Sequence, residues 1–349
     1  MKKRKILMIL MVVFAGLTST FSFYFYQIIK SPNLQVDKGA IQIMIPNHAT
    51  FRSVQDTLFK YDIVQDMVSF SFLAKLMHYP EAVKPGLYTI RPNMTNIEAI
   101  RMLRAGNQTP VQVTFSHARL VEDLYEPITR PLMIGPEEFA AALDRFIQTN
   151  DRGFNRQNII AMFIPNTYEV YYTITADNLV QRLLKEYDTF WNESRLQKAQ
   201  AIGLTPIEVS ILASIVQAEA RHNEESPIIA GLYINRLKRG IPLQADPTLV
   251  FAAGDFALKR VLNEHKKIDS PYNTYMYKGL PPGPINMPSI HSIDAVLNYR
   301  HHDYLYMCAK EDFSGYHYFT ASLREHNENA RRYQRQLSIE QRKARLQNR

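Results

Sequence analysis

The chain has 349 residues, 46% of them hydrophobic and 21% charged, which is ordinary for a globular protein and argues against wholesale disorder. Its net charge of +8 lies at the ends, because residues 1–5 carry +4 and residues 324–349 carry +5, leaving −1 on residues 6–323. A folded body without excess positive charge argues against nucleic-acid binding. The single cysteine, Cys308, excludes an intrachain disulfide, and its apolar surroundings predict a buried thiol on a strand.

The N-terminal segment is predicted to be a transmembrane anchor over residues 6–29. Four basic residues, Lys2 to Lys5, precede this uncharged run of 24 residues, and roughly 20 apolar residues suffice for a helix to cross a bilayer. A cleaved signal peptide is the alternative, but its apolar region is usually only ~7–15 residues long. The basic cluster predicts a cytoplasmic N-terminus, residues 1–5, and an extracytoplasmic location for everything after Lys30.

A small α+β module is predicted to follow the anchor, over residues 40–118. Alternating apolar and polar residues predict strands, and apolar residues at helical spacing predict helices. The predicted strands are 41–45, 87–90 and 111–115, and the predicted helices are 50–61, 66–77 and 94–104, the last capped by Gly106.

The larger remainder, residues 119–337, is predicted to be a mixed α/β domain. Residues 120–200 are mainly helical in spacing, with a turn-rich break at 163–169. The best-marked helix begins at Thr205, where Pro206 and Glu208 complete a capping box. Further expectations are a helix from Ser226 to Gly240, loops at 244–248, 272–275 and 279–285, a charged surface helix from Leu323 to Arg345, and a basic tail over 338–349.

Glu219 is the acidic residue whose position suggests chemistry. It follows Ile215 by four residues and Val216 by three, so its carboxyl lies on the apolar stripe of its helix. Burial raises the pKa of an unpaired carboxyl, and a carboxylic acid that is protonated near neutral pH can donate a proton to a leaving glycosidic oxygen. The structural alternative is a buried Glu219 paired with Arg221 or another basic residue.

The sequence offers little support for other kinds of catalytic or metal-binding site. The sequence contains no phosphate-binding glycine loop, no His-Glu-x-x-His zinc pattern and no Gly-x-Ser-x-Gly elbow. Adjacent histidines such as His301 and His302 point in different directions in regular structure, so they do not predict a metal site. We therefore expect neither a metal nor another cofactor.

The loops after residue 240 suggest saccharide binding. Tyr272, Asn273 and Gln244 offer aromatic faces and amides, which stack on and hydrogen-bond to sugars, although the same residues could serve loop packing. Ordinary glycosidases use two carboxylates, and the candidate partners of Glu219 are Asp246 and Glu169. Residue spacing alone does not bring either of them to Glu219.

Several motifs together resemble the MltG (YceG-like) endolytic murein transglycosylase family, over about residues 40–337. Their order and spacing match, which makes the resemblance far more specific than any single motif. The motifs are Ile-Leu-Ala-Ser-Ile-Val-Gln-Ala-Glu-Ala at 211–220, Ile-Asn-Arg-Leu at 234–237, Leu-Gln-Ala-Asp-Pro-Thr at 243–248, Tyr-Asn-Thr-Tyr at 272–275, Gly-Leu-Pro-Pro-Gly-Pro-Ile at 279–285, Pro-Asn-Thr-Tyr-Glu at 165–169, Gly-Tyr-His-Tyr-Phe at 315–319 and Glu-His-Asn at 325–327.

The resemblance implies a reaction and a fold. Family members cut the MurNAc–GlcNAc bond within nascent glycan strands and leave 1,6-anhydro-MurNAc ends, with one Glu acting as acid and then as base while the C6 hydroxyl of the sugar attacks. Glu219 aligns with that residue, and Gln217 replaces a second Glu that many members carry, so no carboxylate role is supported there. The fold implied is α+β: one N-terminal transmembrane helix, a small LysM-like α+β module marked by residues 84–88, and the larger mixed α/β catalytic domain.

The resemblance also implies where the substrate binds and which partners the protein meets. Substrate-binding residues are expected in the cleft, at Gln244, Asp246, Tyr272, Asn273 and Glu169. The expected partners are peptidoglycan glycan strands, the cytoplasmic membrane through the anchor, and peptidoglycan synthases, with no nucleic acid.

Two alternatives remain open at the level of sequence. One is a muramidase-type hydrolase, in which Asp246 or Glu169 would hold a water, and the other is a non-catalytic peptidoglycan-binding membrane protein. The first differs from a transglycosylase by its reducing product ends, and the second by its insensitivity to Glu219→Gln.

Overall fold

The computed structural model describes residues 2–35, 39–258 and 261–347, so the last two residues of the predicted basic tail lie outside the described residues. The chain divides into two compact units. The first comprises Met1–Val113, Thr129–Gly135 and Tyr168–Thr175, and the second comprises Thr114–Ile128, Pro136–Thr167 and Ala176–Arg349.

The predicted anchor forms a single long helix, α1 (Lys2–Lys30), whose apolar side chains are exposed along nearly its whole length. It is long and apolar enough to cross a membrane. Its last turn joins the first unit, since Ile28 is buried in that unit's core and its carbonyl accepts a hydrogen bond of 3.1 Å from Nδ2 of Asn96.

In the first unit, two helices lie along the chain between two paired strands. Its elements are β1 (Pro32–Leu34), β2 (Ile41–Ile45), α2 (Phe51–Lys60), α3 (Met67–Leu76), β3 (Gly86–Ile90), β4 (Met94–Thr95) and α4 (Asn96–Ala105). Strands β2 and β3, which flank α2 and α3 along the chain, are antiparallel, with Ile41 opposite Ile90 and Ile45 opposite Gly86. The helices and strands predicted over residues 41–104 are confirmed, including the left-handed cap at Gly106.

The rest of the chain is mainly helical. It contains β5 (Pro110–Phe115), α5 (Tyr125–Thr129), α6 (Pro136–Thr149), β6 (Asn166–Tyr171), α7 (Ala176–Phe190), α8 (Glu193–Ile202), α9 (Pro206–Glu219), α10 (Ser226–Lys238), α11 (Asp246–Ala253), α12 (Ile290–Leu297), β7 (Tyr306–Ala309), β8 (His317–Thr320) and α13 (Leu323–Gln347).

Two local predictions are wrong in this part of the chain. The expected turn-rich break at 163–169 includes the start of β6, where Tyr168 and Val170 alternate with exposed neighbours as in a half-buried strand. The expected loop at 244–248 runs into α11, because Pro247 occupies the first turn, where its missing N–H costs no hydrogen bond.

Helix α9 is the centre of the second unit. The capping box at Thr205 is present as predicted, and every residue from Val209 to Val216 is buried because α8, α10, α11 and α12 all contact this helix. Gly231 lets α10 approach the following chain closely, since a Cβ there would lie 2.4 Å from the carbonyl oxygen of Arg300. These packed helices bury the middle of α9 and leave its two ends partly exposed.

The C-terminal elements form a hairpin covered by a helix. Strands β7 and β8 are antiparallel, with Tyr306 opposite Thr320, and α13 contacts both of them. Cys308 lies on β7 as predicted, but it is only half-buried, so the prediction of a buried thiol on a strand is confirmed only in part. Because this sheet has only two strands, the residues of β7 remain partly exposed.

Candidate functional site

Glu219 is the last residue of α9, at the point where the buried helix reaches the surface. The residues before it are held by apolar packing, whereas Gln217, Ala218 and Glu219 emerge from the core. Burial along the helix thus fixes the backbone, and the position at the helix end places the partly buried carboxyl at the edge of the core. The helix dipole is negative at this end, which disfavours an ionised carboxylate.

The carboxyl of Glu219 accepts a hydrogen bond of 3.0 Å from the hydroxyl of Tyr233 on α10. Burial raises the pKa of Glu219 from its ordinary value of 4.5 to about 7; the Tyr233 hydrogen bond lowers it and the negative charge of Asp246 raises it. Within the described chain Glu219 has no salt bridge, so the structural alternative of pairing with the exposed Arg221 is not realised. A carboxyl with such a raised pKa has the property that general acid catalysis near neutral pH requires.

Two cavities of the second unit meet at Glu219. The first has a volume of about 1050 Å³ and the second a volume of about 520 Å³. Glu219 and Asp246 line both of them. Polar groups dominate the lining, so the combined cleft fits a hydrophilic ligand that extends to both sides of the Glu219 carboxyl.

Asp246 and Gln244 belong to this cleft, as the sequence predicts. The hydroxyl of Tyr275 donates a 2.5 Å hydrogen bond to Oδ1 of Asp246. Gln244 lines the second cavity, has a left-handed φ of 56°, and accepts a 2.6 Å hydrogen bond from Arg236 through Oε1. Both side chains are therefore held in place before any ligand binds.

Arg236 is a buried cation that organises the floor of the second cavity. Only 5% of it is exposed, and it donates hydrogen bonds to the carbonyls of Pro242 and Leu305 as well as to Gln244. Its guanidinium also lies 5.6 Å from the ring centre of Tyr306. These contacts hold α10, the chain before α11 and the start of β7 together as the rigid floor of the second cavity.

Tyr272 and Asn273 have structural roles in the loop that carries them. Asn273 is fully buried, and its amide nitrogen donates to the carbonyls of Lys266 and Ile268. The ring of Tyr272 packs 4.5 Å from that of Phe251. Neither residue lines the two cavities at Glu219, so both shape the loop that presents Tyr275.

Glu169 is not among the residues that line the cavities at Glu219. It is an exposed residue of β6 in the first unit. The described structure therefore leaves Asp246 as the carboxylate that shares a cleft with Glu219.

The side chain of Gln217 makes four hydrogen bonds that fix the end of α9 to the chain before and at the start of α12. Its amide nitrogen donates to Oδ1 of Asn286 at 3.0 Å and to the carbonyl of Met287 at 3.3 Å. Its amide oxygen accepts from the N–H of Ser289 at 2.6 Å and from the hydroxyl of Ser292 at 3.2 Å. Two donated and two accepted bonds suit an amide, whereas an ionised carboxylate has no hydrogen to donate.

Sequence reasoning missed the importance of Tyr233 for the site. Tyr275 lies in the loop 272–275 for which saccharide binding was predicted, and Arg236 lies in the motif at 234–237, but neither was assigned its contact. The signal available was the occurrence of polar side chains within otherwise apolar α10, where Tyr233 and Arg236 stand one turn apart. In the described residues, no three His, Cys, Asp or Glu side chains converge as in a metal site.

Comparisons with known proteins agree with the resemblance. The model of the YceG-like family matches residues 43–332. Proteins named endolytic murein transglycosylase are similar in sequence: two from strains of Streptococcus pneumoniae at 27% identity over 360 residues, and one from Bacillus subtilis at 28% over 317 residues. The alignments cover 93% of this chain but 64% of each streptococcal relative, and 85% of both chains for the Bacillus relative.

A solved structure has a similar fold. The crystal structure of a YceG-like protein from Listeria monocytogenes aligns with a TM-score of 0.50 and 24% identity, covering 84% of this chain and 99% of that chain. Because the family model spans most of the chain, including Glu219, this protein belongs to the YceG-like family.

Proposed function

We propose that this protein is an endolytic lytic transglycosylase that cleaves the MurNAc–GlcNAc bond of peptidoglycan glycan strands. The observation that carries the proposal is Glu219, a carboxylic acid with a pKa of about 7 where two polar cavities meet. Family membership and the names of the similar proteins support the same reaction. A polysaccharide needs space on both sides of the acid, and the paired cavities provide it.

In the proposed mechanism, Glu219 acts twice. Protonated Glu219 first donates its proton to the leaving glycosidic oxygen as the bond to the anomeric carbon breaks. The resulting carboxylate then accepts the proton of the C6 hydroxyl, whose oxygen forms the new bond to the same anomeric carbon. The products are a 1,6-anhydro-MurNAc end and a free GlcNAc hydroxyl, and Glu219 regains its proton without any water being consumed.

Asp246 and Gln244 are proposed to bind the strand beside Glu219. Asp246 keeps one carboxyl oxygen for Tyr275 and has the other for a sugar hydroxyl. A muramidase-type hydrolase is the second candidate, because Asp246 lines the same two cavities as Glu219 and would hold the attacking water. The two reactions differ in the chemistry of the new end.

The remaining parts of the chain are proposed to place the site at the cell envelope. Helix α1 would span the cytoplasmic membrane with its basic N-terminus inside and everything after Lys30 outside. The order β2–α2–α3–β3, with two helices between paired antiparallel strands, supports a LysM-like subdomain that binds glycan. Work on nascent strands would bring the protein close to peptidoglycan synthases.

The proposal is tested by digesting purified glycan strands with the full chain in detergent and with its Glu219→Gln variant, followed by mass spectrometry of the ends. We expect 1,6-anhydro ends from the wild type and a loss of at least ~100-fold in rate for the variant, the scale of general acid catalysis. Arg221→Gln, next to the site but exposed, is the matched control and should cleave normally.

Other outcomes would support the alternatives. New reducing ends would indicate the hydrolase with Asp246 as the second carboxylate. Binding of strands by both proteins without any cleavage would indicate a non-catalytic peptidoglycan-binding protein.

A further inference from the structure

The first cavity at Glu219 has a wall that lies beyond the part of the chain matched by the family model. The match ends at residue 332, yet Tyr333, Gln334, Leu337 and Gln341 of α13 line this cavity together with Glu219. At 1.5 Å per residue, the lining stretch is about 12 Å long, enough to run beside more than one sugar ring. We name residues 333–341 of α13 the C-terminal wall.

The lining residues of the C-terminal wall form one continuous helix face. Tyr333, Leu337 and Gln341 are spaced four residues apart, and Gln334 lies beside them three residues before Leu337. Two amides, one phenol and one leucine make this face uncharged. By contrast, the neighbouring Arg335 and Arg342 are exposed and absent from the cavity lining. The charges of Arg335 and Arg342 are therefore directed away from the cavity.

The C-terminal wall is held in place by its preceding turns. The ring of His326 stacks 5.3 Å from that of Tyr306 on β7, and Asn329 is buried. The ring edge of Tyr333 contacts Phe313 at a centroid distance of 5.7 Å. These contacts fix the N-terminal end of the C-terminal wall, so its face begins from a held position beside the cleft.

We propose that the C-terminal wall binds the glycan strand next to the bond that Glu219 cleaves, and so determines how tightly this enzyme holds its substrate. Amides such as those of Gln334 and Gln341 donate to and accept from hydroxyl and N-acetyl groups. Leu337 and the Tyr333 ring offer the apolar contact that sugar ring faces require. This inference deepens the proposed function and rests on it.

The test compares Gln334→Ala/Gln341→Ala with the matched double variant Arg335→Ala/Arg342→Ala, each in the full chain in detergent, using uncrosslinked glycan strands. We expect KM to rise about tenfold in the glutamine variant, which corresponds to about 1.4 kcal/mol for two hydrogen bonds. Because these contacts hold the strand equally before and during the reaction, kcat should stay nearly constant. The arginine variant should match the wild type in both constants.

Unchanged KM in the glutamine variant, or an equal rise in the arginine variant, would overturn the inference. A chain that ends at Arg332 provides a second comparison and should raise KM further while Trp191 fluorescence reports a normal melting transition. If wild-type protein fails to cleave, the proposed function fails separately. Strand binding by Glu219→Gln proteins then decides the inference, with about tenfold weaker binding expected only after the glutamine changes.

Discussion

The hydroxyl of Tyr233 lies 3.0 Å from Oε1 of Glu219 and donates a hydrogen bond to it, although the two residues belong to different helices. Tyr233 is 2% exposed, so its phenol is fixed by the core. Burial and the negative charge of Glu219 raise the pKa of Tyr233 well above its usual 10, so it remains a donor at all physiological pH values. Tyr233 is therefore a positioning residue for Glu219.

Tyr233→Phe removes this hydrogen bond while keeping the buried ring. Because the bond lowers the pKa of Glu219, its loss should raise that pKa further and move the alkaline fall in activity to higher pH. The less firmly held carboxyl should also lower kcat by roughly 10- to 100-fold. The pH dependence of kcat/KM for both proteins measures the shift.

Tyr187→Phe is the matched control, because this buried tyrosine packs against Phe154 and Trp191 away from Glu219. Its pH profile should coincide with that of the wild type. A lower kcat for Tyr233→Phe with an unmoved profile would mean that Tyr233 supports the fold without tuning Glu219.

The wild-type pH profile gives a second prediction. The first step needs protonated Glu219, whose pKa is raised to about 7, so kcat/KM should be half-maximal near pH 7 and should fall about tenfold per unit above it. Measuring initial rates from about pH 5 to about pH 9 checks this. A rate that stays constant to the alkaline end would exclude Glu219 as the acid in the rate-determining step.

The sequence was sufficient to predict that Glu219 follows the buried stripe of a helix, because one helix determines its position. The capping box at Thr205 and the apolar stripe through Val216 both depend on residues close in sequence, and local spacing fixes them. The structure confirms that helix and its bounds within about one residue. The structure also confirms the strands predicted at 41–45 and 87–90.

The rest of the site depends on contacts between residues far apart in the chain. Asn273 lies in a motif that suggests binding, yet its amide serves its own loop, whereas Tyr275 of the same motif reaches Asp246. The four hydrogen bonds of Gln217 involve partners about 70 positions away. Spacing along one segment has no information on such partners, so these roles required the folded structure.

Gln217→Glu gives a third prediction, about stability. A carboxylate would keep the bonds from Ser289 and Ser292 but would face the oxygens of Asn286 and Met287 without a hydrogen to donate. We expect a loss of about 1–3 kcal/mol in the free energy of unfolding at pH 8, and a smaller loss at pH 5 as the new carboxyl takes up a proton. Urea unfolding followed by Trp191 fluorescence measures both.

Gln181→Glu is the control for that change, because this glutamine is exposed on α7, and its effect should be within about 0.5 kcal/mol. Equal stability of Gln217→Glu and the wild type at pH 8 would show that the carboxylate finds other donors at the end of α9.

Glu219→Gln should make the protein more stable at alkaline pH even as it removes activity. The folded protein raises the pKa of Glu219 from 4.5 to about 7, so the folded state binds this proton more tightly than the unfolded state does. Wild-type stability should then fall as pH rises from about 4.5 to about 7, by up to about 3 kcal/mol, and stay level above that range. The neutral amide keeps an oxygen for the Tyr233 hydroxyl, and its free energy of unfolding does not depend on pH through this side chain.

Unfolding by urea at about pH 5 and about pH 8 measures the difference, followed through Trp191, the only tryptophan in the chain. The variant should be more stable than the wild type only at the higher pH. An equal difference at both values would mean that Glu219 is not buried as an acid, and the proton-donor role would lose its physical basis.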